Sequence, residues 1–108
     1  MARTAKRLGG PALVTNSVVT KYTVPASTKT IIRHIHVQNP SGSTVTFTLS
    51  IGADAAGTRL FDAFSILADT VLDHWCYYVV EAAEIVQAVA GTTNILTLTL
   101  DGDELTLG

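Results

Sequence analysis

Along residues 44–51, "TVTFTLSI", apolar Val45, Phe47, Leu49 and Ile51 alternate with Thr44, Thr46, Thr48 and Ser50. A period of two sends the first set to one face of a strand and the second to the other, which predicts a strand buried on one side and wet on the other. The same grammar recurs at "NILTLTL" (94–100), where Leu96, Leu98 and Leu100 oppose Thr97 and Thr99. "SVVTKYTV" (17–24) alternates well enough for a further strand and stops at Pro25, whose missing N–H suits an edge or a turn. "TIIRHIHVQ" (30–38) predicts the next strand and "NPSGS" (39–43) a turn, so the simplest topology joins 30–38 and 44–51 as a hairpin. "TRLFDAFSI" (58–66) reads as a strand whose middle can kink. "DTVLDHWCYYVV" (69–80) reads as a strand region broken near Asp73–His74, with its aromatic run packed centrally.

The segment "EAAEIVQAVAG" (81–91) has the Ala and Glu content of a helix, with Gly91 placed as a cap. Read instead as a turn at "EAAE" and a strand at "IVQAVA", it continues the alternation of its neighbours, and that reading is preferred. Asp101–Gly102 predicts a tight turn into a last short strand, "ELTL" (104–107). Seven to nine short strands at intervals of about ten residues indicate an all-β chain, an antiparallel β-sandwich of jelly-roll type.

Composition adds three constraints. A chain of 108 residues, 47% hydrophobic and 15% charged, supports one core and therefore one domain, and its low charge leaves surface suited to other protein. The net charge of −2 supplies no global basic field, so nucleic acid is not an expected partner. Three of the seven basic residues, Arg3, Lys6 and Arg7, crowd the first seven positions, and glycines follow them. Residues 1–16 are accordingly read as an extended N-terminal arm and 17–108 as a single sandwich domain, so that deleting 1–9 should leave the domain folded. "LGGPALVTNS" interrupts the apolar run a secretory signal requires, and nothing approaches a membrane span, so a soluble protein made in the cytoplasm is expected.

Candidate chemistry is sparse. In 30–38, alternation assigns Ile31, Arg33, Ile35 and Val37 to the core face and Ile32, His34, His36 and Gln38 to the other. Arg33 would then need a carboxylate such as Asp62, Asp69 or Glu81, because an unpaired buried charge is too costly. His34 and His36, with side chains about 7 Å apart on one face, could share a metal, but no carboxylate follows before Asp54 and His74 lies in the predicted break. Cupin-type jelly-roll enzymes also point their ligands into the barrel, whereas alternation turns this pair outward. No metal, cofactor or catalytic residue is therefore assigned. Cys76, the one cysteine, reads as a small packed hydrophobe between Trp75 and Tyr77. No G-x-S-x-G or phosphate-binding glycine motif is present, and Asp54, Asp62, Asp69 and Asp73 read as solvated loop acids. Trp75, Tyr77 and Tyr78 could stack on a sugar, yet the core or an oligomer contact is the expected destination.

The order "LGGPALVTNSVVTKYTVPASTKTIIRHIHVQNPSGSTVTFTLSIG", then "DTVLDHWCYYVVEAAEIVQAVAGTTNILTLTLDGDELT", resembles small accessory structural proteins of tailed bacteriophages. Those often open on a short "LG" arm, pass through "YTVPA" into "V/I-x-x-I-x-V-x-N-x-SG", and close on "A-G-D-x-I-x-A" and "G-x-E-x-T". Where they have "AGD", this chain has Glu81–Ala82–Ala83–Glu84, which puts the turn geometry there in question. The resemblance implies a non-enzymatic sandwich, made in the host cytoplasm and assembled as a symmetric oligomer on the capsid, neck or tail, with other virion proteins as partners and no membrane. Arg3, Lys6, Arg7 and Leu8 of the arm, with His34, His36 and Gln38, are the interface candidates. The alternatives are a carbohydrate- or receptor-binding sandwich module and, third, a cupin-like metal enzyme.

Overall fold

The computed structural model describes residues 2–106; Met1, Leu107 of the predicted last strand, and Gly108 lie outside them. Eight strands follow in order: β1 (Ala2–Leu13), β2 (Val19–Thr23), β3 (Thr28–Asn39), β4 (Val45–Ile51), β5 (Arg59–Ile66), β6 (Thr70–Val80), β7 (Ile85–Ala90) and β8 (Thr97–Thr106). They form two antiparallel sheets of four, ordered β1-β8-β3-β6 and β2-β7-β4-β5. The chain is all-β, as the alternation predicts, and its core lies between the sheets. There Phe47 and Leu49 of β4 meet Ile32, Ile35 and Val37 of β3 and Leu98 and Leu100 of β8, all buried.

Four expectations are corrected. Residues 2–13 are not an arm: β1 pairs with β8 from Ala2↔Thr106 to Leu13↔Thr97, and Leu8 is buried in the core at 7% exposure, so it is not available to a neighbour. Removing residues 1–9 would strip β8 of its outer partner along most of its length, leaving it paired with β3 alone. Segments 30–38 and 44–51 do not form a hairpin. The 39–43 turn carries the chain from one sheet to the other, which lets both strands bury their apolar faces in one core from opposite sides. Buried Asn39 fixes that turn, its Nδ2 donating to the carbonyls of Ser43 at 2.8 Å and Ile66 at 2.9 Å while its Oδ1 accepts the Ser41 N–H at 3.0 Å.

The third correction is at Asp101–Gly102, which makes no turn. β8 runs straight through, with Gly102 opposite Lys6 on one side and Ile32 on the other. A Cβ there would collide with the Ile31 carbonyl, so this glycine serves close backbone approach inside a sheet. Fourth, β6 is continuous across Asp73–His74. The 81–84 turn does form, with the Glu84 N–H donating to the Glu81 carbonyl at 3.1 Å and Ala83 held at φ 67°.

The strands of the first sheet reach 10–12 residues, against 5–8 in the second, so the first sheet overhangs. A polar seam joins the sheets there. The buried Tyr22 hydroxyl of β2 meets Thr30 Oγ1 of β3 at 2.7 Å and donates to Glu104 Oε2 of β8 at 2.5 Å, and Lys6 Nζ of β1 lies 3.2 Å from Glu104 Oε1. Strand β1 serves an overhang and a seam, which is why so polar a segment is nonetheless a strand.

Candidate functional site

A register irregularity between Ile32 and His34 shapes the outer face of the first sheet. One extra residue resets which side chains face inward. Ile32, Ile35 and Val37 all turn into the core, while Arg33, His34 and His36 stay outside. The expectation that Arg33 shares the core face is thereby overturned. Its partner is Asp103, with Nη1 3.2 Å from Oδ2, and its guanidinium lies 5.7 Å over the Tyr77 ring. Asp103 also receives Arg3, whose Nη2 is 2.6 Å from the same oxygen.

The register then aligns Asp101 of β8, His34 of β3 and Trp75 of β6 in one row, and Thr99, His36 and Asp73 in the next. Trp75 lies flat on His34, ring centroids 3.8 Å apart and planes at 7°. Asp73 Oδ1 sits 2.9 Å from His34 Nε2 and 2.5 Å from His36 Nδ1, and Asp101 Oδ2 is 3.7 Å from His34 Nδ1. One donor atom from each of His34, His36 and Asp73 falls within 4.8 Å of the others, the kind of group that can hold a metal ion. The sequence offers no carboxylate near the histidine pair, but the structure brings one to it. Asp73 comes from the neighbouring strand, 37 positions from His36 in sequence, where linear spacing carries no signal. The hydrogen bond from His36, and secondarily that from His34, holds the Asp73 carboxyl below its ordinary range.

His74, the candidate third ligand from sequence, points to the opposite face. It meets Phe61 edge-on at 5.2 Å, and its Nε2 is 3.1 Å from the Tyr78 hydroxyl. Cys76 is half-buried with Sγ 3.4 Å from the Ile32 carbonyl, and burial pushes its thiol up, as suits a packing residue. Trp75 and Tyr77 do not fill the core: they are 74% and 64% exposed. Both belong to the outward set of edge strand β6, with Val71 and Val79 also exposed, so a sheet edge displays an apolar stripe. An open concavity of about 470 Å³ lies beside it, lined by Arg3, Arg33, Trp75, Cys76 and Asp103. Among the interface candidates, Arg3, Lys6 and Arg7 are exposed on β1 and Gln38 on β3, and His34 and His36 lie in the cluster just described. Among the described residues no helix is long and apolar enough to cross a membrane.

Of the four acids expected in loops, Asp54 and Asp69 lie in loops, while Asp62 lies in β5 and Asp73 in β6. Asp54 accepts from Ser50 Oγ at 2.6 Å and from Arg59 Nε at 3.1 Å, an arrangement that pins the 52–58 loop; the Arg59 hydrogen bond, then that of Ser50, holds its carboxyl down. What fold and site define together is a two-sheet β-sandwich whose first sheet carries a histidine–carboxylate cluster beside an exposed aromatic edge. Compared with family models, with curated proteins and with solved structures, the chain matches none.

Proposed function

We propose that this protein is a non-enzymatic structural component of a tailed-phage virion, a jelly-roll sandwich that assembles as a symmetric oligomer on the capsid, neck or tail. The observation that carries the reading is the stripe of Val71, Trp75, Tyr77 and Val79 along the outer face of edge strand β6. An exposed apolar edge on a soluble domain is a liability unless another chain covers it. Aromatic side chains are also the residues that most enrich protein interfaces. Two further features support the reading. The order β1-β8-β3-β6 over β2-β7-β4-β5 suits the double Greek key of an eight-stranded jelly roll, and the motifs resembling phage accessory proteins run through nearly the whole chain.

Light scattering on the purified protein should give a discrete oligomer that falls to the protomer in the double variant Trp75→Ser, Tyr77→Ser. An antibody raised against the protein should label intact particles. A native protein that is monomeric at tens of micromolar, or particles without label, would remove the reading.

A second reading, a carbohydrate- or receptor-binding module, is favoured by one feature: the solvent face of Trp75 beside the open concavity. It predicts quenching of Trp75 emission by glycans in a protein whose mass does not change.

A further inference from the structure

We infer that His34, His36 and Asp73 form a binding site for a divalent transition-metal ion of the zinc class on the outer face of the first sheet, with Asp101 as the carboxylate behind His34. The inference is independent of the virion reading.

The convergence of donor atoms carries it. Asp73 Oδ1 lies 2.9 Å from His34 Nε2 and 2.5 Å from His36 Nδ1, and one donor atom from each of the three residues falls within 4.8 Å of the others. Two imidazoles and a carboxylate that meet at one point offer a cation three lone pairs from protein. Asp101 Oδ2 lies 3.7 Å from His34 Nδ1, the far nitrogen of the ring, on the side where an outer carboxylate supports a metal-bound imidazole. With Asp73 and Asp101, two carboxylates balance one divalent ion.

The geometry permits the ion. Bonds of about 2.0–2.2 Å at tetrahedral angles set donor atoms about 3.3 Å apart. The donors here stand at 2.9 and 2.5 Å from Asp73 Oδ1, so entry of the ion asks Asp73, 44% exposed, to withdraw by less than about 1 Å. His34 is held by the Trp75 ring, and both histidines rise from the interior of β3, a strand paired on both sides. Two imidazoles and one carboxylate form a donor set suited to zinc and neighbouring first-row ions, while calcium and magnesium prefer oxygen alone. Three protein ligands leave at least one coordination position open to solvent.

The site differs from the one weighed on sequence grounds. Cupin-type ligands point between the sheets, and this cluster points away from them, so its chemistry is that of a surface site.

The test is titration of the EDTA-treated, dialysed full-length protein with ZnCl₂ by calorimetry, and with NiCl₂ by emission of Trp75, the chain's one tryptophan. One Zn²⁺ per protomer is expected, with Ni²⁺ quenching Trp75. His36→Ala and Asp73→Asn should each weaken Zn²⁺ affinity by about 100-fold, and Asp101→Asn by about 10-fold, in the range that loss of a ligand or its supporting carboxylate produces. His74→Ala, on the opposite face, should bind as the native protein does. Far-UV circular dichroism on each variant establishes that it is folded, and all three altered cluster positions are solvent-accessible enough to tolerate the change. Absence of stoichiometric Zn²⁺ binding, or Asp73→Asn binding as tightly as native, overturns the site; so does equal weakening by His74→Ala.

Discussion

On the outer face of the second sheet, Thr48 Oγ1 accepts the Ala63 N–H at 2.9 Å and Gln87 Nε2 donates to Thr20 Oγ1 at 3.1 Å, so short polar side chains meet one another across the strands. On the outer face of the first, Trp75 and Tyr77 stand in solvent and His34, His36 and Asp73 crowd one point. Both sheets follow one rule on their inner faces, where side chains alternate into the shared core except at register shifts such as that beside Arg33. The rule says nothing about the outer positions except that they need not be apolar. Chemistry beyond stability therefore has room only there, and the two sheets use that room differently: one face is self-satisfied and the other is equipped to bind.

The largest effect should come from what the faces share. Phe47 is fully buried and packs toward Phe61, with ring centroids 6.0 Å apart, in the middle of the core. Phe47→Ala should cost about 3–5 kcal/mol in urea denaturation. The comparison also demands that the sheets unfold together, so Trp75 emission, which reports the first sheet, and far-UV circular dichroism should show one coincident transition. Two separate transitions would mean that the sheets are independent units and that their faces cannot be compared over one core.

Next comes the seam at Tyr22. Burial first, then the hydrogen bond to Glu104, pushes the Tyr22 hydroxyl from 10.0 up to about 12. The same bond is the main reason the Glu104 carboxyl lies below its ordinary 4.5. The signs differ. Tyr22, raised in the folded state, contributes stability that is present below pH 10 and lost as the pH rises toward about 12. Glu104, depressed, contributes stability that is present above pH 4.5 and lost as the pH falls below it. Tyr22→Phe should therefore cost about 1.5–3 kcal/mol at pH 7, as the loss of a hydrogen bond to a charged group does. It should also flatten both the alkaline and the acid limbs of a stability–pH curve. An unchanged alkaline limb would show that the seam does not join the sheets.

How much of this was legible in the sequence follows the same division. Strand β4 and the Leu96–Leu98–Leu100 run of β8 were legible because each has one dry and one wet face, the condition under which period two is informative. Strand β1 was not, because most of it overhangs the second sheet and its one deep apolar contact is Leu8. Gly102 looked like a turn residue because close backbone approach and turn formation call for the same amino acid. The irregularity beside Arg33 leaves no mark in "TIIRHIHV", where isoleucines stand at both parities, so strict alternation turns Arg33 inward and Ile32 outward, the reverse of what the fold does. The histidine pair was legible as facing away from the core. Its carboxylate was not, since Asp73 reaches it only through the β3–β6 register.

A smaller effect tests a turn common to both sheets, between β6 of the first and β7 of the second. Ala83 holds φ 67°, a left-handed conformation that costs a residue with a Cβ about 1 kcal/mol relative to glycine. Ala83→Gly should raise stability by about that amount, less the entropy glycine adds to the unfolded chain. A variant destabilised by more than about 1 kcal/mol, beyond the entropy that glycine adds to the unfolded chain, would show that the alanine methyl makes a contact worth more than the strain.

The smallest effect on stability is the one that bears most directly on the contrast. Thr48 is half-buried in the middle of the second sheet's outer face, and its bond to the Ala63 N–H is exposed. Thr48→Val removes an acceptor that water can replace and adds a β-branched apolar side chain suited to a strand, so the net change should lie within about 0.5 kcal/mol. Trp75→Ser on the first sheet should be equally mild in urea, because a ring 74% exposed contributes little burial to the isolated protomer. The two variants should part in light scattering: Thr48→Val keeps the native mass at every concentration, and Trp75→Ser shifts the association equilibrium toward the protomer. If Thr48→Val alters the mass as well, the second sheet is also an interface and its hydrogen-bonded threonines are not a sign of a closed face. If both variants keep the native mass while zinc binding persists, the outer face of the first sheet is a metal site and not an assembly surface.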